Sequence, residues 1–114
     1  MADNLVYVDF ADGVKRVMNN AKLYVKLLTK FKTDTKLDDL IDSAVAKDWE
    51  KAQAAAHTIK GIAANLSLTE LFKQSLDVET QIKGQSLSNE SLENIKVCFT
   101  ETINAVERVI AQNV

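Results

Sequence analysis

Ala54-Ala55-Ala56-His57-Thr58-Ile59-Lys60-Gly61-Ile62-Ala63-Ala64 is the stretch on which the reading of this chain turns. Its alanines favour helix, yet it holds the one histidine among 114 residues, a lysine one turn later and then a glycine. A glycine inside a helix costs about 1 kcal/mol relative to alanine. Close approach of another body to the backbone is one reason to place it there. Working outward, Trp49, Ala52, Ala56, Ile59, Ala63 and Leu66 recur at spacings of three and four, the apolar stripe of a helix with one buried side. At roughly 100° per residue, His57 stands about 140° from the middle of that stripe. Ala54, Gly61 and Ala64 share its outer face, with Gln53, Glu50 and Lys60 at the border. A solvated helix face normally carries long charged side chains. One imidazole in a clearing of very small ones suits presentation to another protein.

The rest of the composition agrees with a helical domain. The chain has no proline and three glycines, with hydrophobic residues at 46% and charged residues at 26%, values ordinary for a globular protein. A length of 114 residues suits one domain with its own core, expected over residues 1–114. A net charge of −2 lacks the basic footprint of nucleic-acid or anionic-membrane binding. No apolar run approaches the roughly 18 residues of a membrane span and no signal peptide opens the chain, so the expected location is cytoplasmic. Cys98 is the only cysteine and reads as a small buried hydrophobe in a reducing compartment.

Helix signals divide the chain. Residues 1–8 lead in without a period. Asp9 or Asp12 is expected to cap a short helix through Arg16, with Gly13 loosening it. Asn20 opens a second, ending near Thr33, in which Tyr24, Leu27, Leu28 and Phe31 share a face. Asp34 or Thr35 caps a third, with Leu37, Leu40, Ile41, Ala44 and Val45 inward. Asp48 caps the His57 helix, which stops at Ser67. Ser67-Leu68-Thr69-Glu70 has the pattern of a capping box for the next helix, which buries Leu68, Leu71, Phe72, Ser75, Val78 and Ile82 and stops at Gly84. After the loop 85–89, Leu92, Ile95, Phe99, Thr102, Val106 and Val109 repeat at helical spacing. The expected fold is all-α: an antiparallel up-down four-helix bundle with one or two short N-terminal helices.

Glu79 lies at the inward edge of its helix, about as many residues beyond the turn near Leu68 as His57 lies before it. At 1.5 Å per residue, an antiparallel hairpin brings the two to about the same level. A carboxylate accepting the proton of one ring nitrogen would fix the tautomer and leave the other nitrogen as a nucleophile.

Ala-His-Thr-Ile-Lys-Gly-Ile-Ala-Ala-Asn-Leu resembles the signature of the histidine-containing phosphotransfer (HPt) domain, roughly His-x-x-Lys-Gly-x-Ala before a leucine-rich turn. Val8-Asp9-Phe10 with Gly13, Tyr24-Val25-Lys26-Leu27-Leu28 leading to Phe31, Ala44 near Asp48, and the segment from Leu71 to Glu79 are also similar to that family. The likeness covers about residues 8–84, and the last helix matches in kind. It implies a phosphoryl carrier in a multistep two-component phosphorelay. His57 would take a phosphoryl group from a receiver-domain aspartate or a histidine kinase and pass it to a receiver aspartate. By the same resemblance Lys60 would neutralise phosphoryl oxygens, Gly61 would admit the receiver's active site, and Glu79 would bond the imidazole. Gln53, Ala54 and Ala64 would take part in docking. The implied partners are response-regulator receivers and a sensor kinase, hybrid or not, the receiver bringing Mg²⁺. The carrier itself would need no cofactor or metal and would act as a monomer. Phosphoryl transfer is mostly positioning and charge stabilisation, so a nucleophile, a cation and an open surface suffice. Ser67 departs from the glycine common at that turn in the family. The chain carries no nucleotide-binding glycine loop and no kinase catalytic domain.

Blander readings stand beside these. A surface histidine is most often only solvated, and a single histidine makes a poor metal set. Lys60 could merely snorkel and Glu79 could be a border charge. Trp49 and Phe72 read as core, and Asp38, Asp39 and Asp42 as a solvated acidic face. The alternative function is a bundle adaptor that binds receivers or kinases without being phosphorylated, and a purely structural bundle is a further one.

Overall fold

The computed structural model describes residues 6–113. The chain expected as one domain over 1–114 therefore extends past the described part at both ends, and residues 1–5 of the expected lead-in lie outside it. Among the described residues the structure is all helical: α1 (Phe10–Arg16), α2 (Ala21–Thr33), α3 (Leu37–Val45), α4 (Trp49–Asn65), α5 (Thr69–Lys83) and α6 (Asn89–Gln112). The two shortest are α1 and α3, so the second short helix lies between α2 and α4 and not at the N-terminus.

Local chemistry starts most of these helices. The side chains of Asp9, Asn20, Asp48 and Ser88 each accept from a backbone N–H three residues on, satisfying one of the donors a helix start leaves free. Two expected caps are absent. Lys36, in the left-handed region at φ 64°, stands at the start of α3 with no side-chain cap. Thr35 Oγ1 accepts only a long contact, 3.4 Å, from the Leu37 N–H. Ser67 does not cap α5 either. Its φ of 56° turns the side chain back toward α1, where its hydroxyl donates to Asp12 Oδ2 at 2.5 Å. Leu68 occupies the cap position without a side-chain bond. At the other end of α5 the left-handed residue is Gln85, φ 59°, and not Gly84. Met18, Asn19 and Lys47 are also left-handed, so with Lys36, Ser67 and Gln85 each of the five connections between successive helices turns on an ordinary side chain in that region.

The core is built from the expected stripes. α4 packs on α3 and α5, α5 on α6, and α6 on α2. Ala52, Ala56, Ile59 and Ala63 of α4 are buried, and so are Leu71, Ser75, Val78 and Ile82 of α5. Phe31 stacks on Phe99 with ring centroids 6.1 Å apart, joining α2 to α6. Cys98 is buried, and that burial pushes its thiol up to about 11. Two residues expected inside are outside. Val45 is 70% exposed, because it falls about 120° from the Leu40–Ala44 line of its helix. Phe72 is 36% exposed, at the edge of its stripe, where it lines a surface hollow with Ala64, Ser67, Thr69, Arg16 and Lys73.

Helix α1 is tied down by several bonds. The Asp9 N–H donates to the Ser67 carbonyl at 3.0 Å, and Thr69 Oγ1 donates to the Val6 carbonyl. The Tyr24 hydroxyl donates to the Leu66 carbonyl at 2.5 Å, and burial pushes that phenol well above its usual range. Phe10 meets the Tyr24 ring edge-on at 5.7 Å. Gly13 is therefore not a loosening residue. A Cβ there would sit 2.1 Å from Tyr24 Cζ, so the glycine is what lets α1 lie on the ring.

Candidate functional site

The buried stripe of α4 orients the site. With Ala56 and Ile59 fully inside, His57 is carried outward and its side chain is 70% exposed. Glu79 lies on α5, across the α4–α5 turn, and its side chain is only 4% exposed. The two meet as the level argument expects: His57 Nδ1 is 3.1 Å from Glu79 Oε2. Lys60 Nζ lies 2.6 Å from the other oxygen, Oε1. At that distance the ammonium is a charged partner for Oε1. One carboxylate thus serves two neighbours on the facing helix.

Burial alone would push the Glu79 carboxyl up. Lys60, His57 and, at longer range, Lys83 outweigh it and hold the carboxyl below its ordinary range. An ionised carboxylate only accepts, so Nδ1 must carry the ring proton. The Nε2 lone pair then lies on the opposite edge of a mostly exposed ring. The arrangement is an exposed imidazole edge with its tautomer set from below and a cation one helical turn away.

The expected residues fall largely into one place. Glu50, Gln53, Ala54, His57, Lys60, Glu79 and Lys83 line a shallow hollow. Gly61 is exposed one turn beyond His57, and a Cβ built on it meets nothing within 4 Å. Ala64 continues that face but borders a different hollow, with Phe72 and Lys73. Lys83 joins the His57 hollow from α5 without standing out in the sequence. Its signal was its place four residues after Glu79, the spacing of helix-face neighbours. Exposed Phe72 was hidden by its apolar character. The roomier groove lined by Leu27, Phe31, Ile62 and Leu66 lies away from the imidazole. Among the described residues no group of three His, Cys, Asp or Glu side chains could hold a metal. No helix there is long and apolar enough to cross a membrane.

A family model, the Hpt domain, matches residues 27–112. That span contains every candidate residue from Gln53 to Glu79 and leaves out α1. No curated protein and no solved structure matches the chain.

Proposed function

The chain belongs to the Hpt domain family, whose members take part in phosphorelay signalling, and on that premise we propose that it is a phosphoryl carrier working through His57. The observation that carries the reading is the ring itself, exposed on one edge and bound on the other to a buried carboxylate. Nε2 would attack the phosphorus of an aspartyl phosphate on a receiver, or of a phosphorylated kinase, and would later yield the group to a receiver aspartate. Lys60, a quarter exposed, is within reach of phosphoryl oxygens on its helical neighbour. Gly61, Ala54 and Ala64 leave the backbone open to the receiver, which would bring its own Mg²⁺, and Gln53 borders the contact. The long helices α2, α4, α5 and α6 would form the antiparallel bundle that holds this face. The carrier has no need of a kinase domain, and we place it in the cytoplasm as a monomer.

The test is phosphate uptake from a panel of phosphorylated receivers by wild type and by His57→Ala. Wild type should acquire an acid-labile, base-stable label, the behaviour of a P–N bond, and the variant none while keeping its helical circular dichroism. Equal labelling of both would refute the assignment. Binding without transfer by wild type would make the chain an adaptor.

A further inference from the structure

The shared carboxylate has a consequence for the charge of the ring in each state of the carrier. Resting on the phosphocarrier reading, we infer that Glu79 is a positioning residue with two settings. Lys60 offsets its negative charge while His57 is unmodified, and the phosphoryl group, by drawing Lys60 away, turns that charge fully onto the phosphorylated ring.

The chemistry asks for both settings. In uptake the Nε2 lone pair forms the N–P bond as the bond from phosphorus to the receiver's aspartyl oxygen breaks, and its electron pair leaves on that oxygen. The ring keeps its Nδ1 proton and becomes a cation. In release an aspartate oxygen bonds phosphorus, the N–P pair returns to Nε2, and the ring departs neutral. A ring that had lost the Nδ1 proton would have to depart as an anion, a far poorer leaving group. The phosphorylated ring must therefore hold its proton. The unmodified ring must not gain a second one at Nε2, because that would consume the nucleophile. One imidazole thus needs a strong anion beside it when phosphorylated and a weakened one when free.

The geometry supplies this. Glu79 Oε2 faces Nδ1 at 3.1 Å and Oε1 faces Lys60 at 2.6 Å, so ammonium and ring share one charge. Lys60 is held through a single carboxylate oxygen with one negative charge shared with the ring, and a phosphoryl dianion on the neighbouring turn offers it a stronger partner. The other charges near the hollow are Glu50 on α4 and Lys83 on α5. On the α3 side, Lys36, Asp39, Asp42 and Lys51 line a separate hollow around Ala54, Ala55 and Thr58. Among the described residues Glu79 is the charged group in contact with the ring. A glutamine in its place could still accept from Nδ1 through its amide oxygen but would bring no charge. Orientation and charge can therefore be separated by one substitution.

The experiment phosphorylates wild type and Glu79→Gln with phosphoramidate, a small P–N donor that needs no receiver, and follows ³¹P and ring ¹⁵N resonances against pH. The phosphorylated wild-type ring should keep its Nδ1 proton to a pH higher by about one unit or more than the variant, the scale of an opposite charge within a few ångströms. Coincident midpoints would show that Glu79 only orients the ring, and would overturn the inference. Lys60→Met supplies the second arm. With Glu79 unshared, the unmodified ring should hold its second proton to higher pH than in wild type, and an unmoved midpoint overturns the offsetting role. A wild-type His57 that takes no phosphoryl group at all overturns the carrier reading itself, a result distinct from either.

Discussion

Gly13 and Gly61 occupy the same kind of place, the interior of a helix, for opposite reasons. At Gly13 the fold fills the space: a Cβ would fall 2.1 Å from the Tyr24 ring, itself fully buried and bonded to the Leu66 carbonyl. At Gly61 the fold leaves the space empty, with nothing within 4 Å. Both positions carry the helix penalty of about 1 kcal/mol. In α1 that cost is offset by packing that the protein itself provides. In α4 no internal contact offsets it, and the empty position lies one turn from an exposed imidazole. A glycine the fold requires reports on the fold, and one it does not require reports on something outside it.

Substitutions at the two positions separate these cases. The largest effect should come from Gly61→Gln, which places a long side chain on the docking face. Transfer to or from a receiver should fall about 100-fold, since a misplacement of about 1 Å can cost that much, while the unfolding midpoint does not fall. Undiminished transfer would remove the link between this glycine and a partner. Next is Gly13→Ala. Overpacking against the Tyr24 ring should cost about 2 kcal/mol, read from urea unfolding, and a neutral result would mean that α1 can shift off the ring. Smallest is Gly61→Ala, which should stabilise the domain by about 0.5–1 kcal/mol. The same chemical change thus has opposite signs at the two sites. Loss of stability at Gly61 would reveal an internal contact and erase the contrast.

The sequence showed the α4 face in nearly complete form because a helix's own period decides which residues point out. His57, Gly61 and Ala54 needed only counting. Glu79 needed one further step, equal distance from a turn, and the contact at 3.1 Å follows that level. What stayed hidden depended on residues remote in sequence. Ser67 carries the pattern of a cap, yet its hydroxyl is taken by Asp12, 55 positions away. Gly13 looked like a weak point because the ring that needs it is on the next helix. Phe72 reads as core by its hydrophobicity, yet it stands at the edge of its stripe beside a surface hollow that α1 and the α4–α5 turn help to line. The second role of Glu79 was equally out of sight. The lysine was in the motif and the carboxylate was at the right level, but their 2.6 Å approach is a matter of side-chain reach.

The turns of the bundle bear on how a receiver would meet it. The left-handed positions at Met18, Asn19, Lys36, Lys47, Ser67 and Gln85 are all held by residues with a Cβ, for which that region is a small well bounded by steric clashes. A glycine would let those corners wander over both signs of φ; these side chains make them stiff joints. On the phosphocarrier reading, the face that carries His57 would sit on a frame whose corners are already set. A visiting receiver would then give up little entropy in ordering it, and the fit between the two would be decided mainly by shapes that exist before they collide.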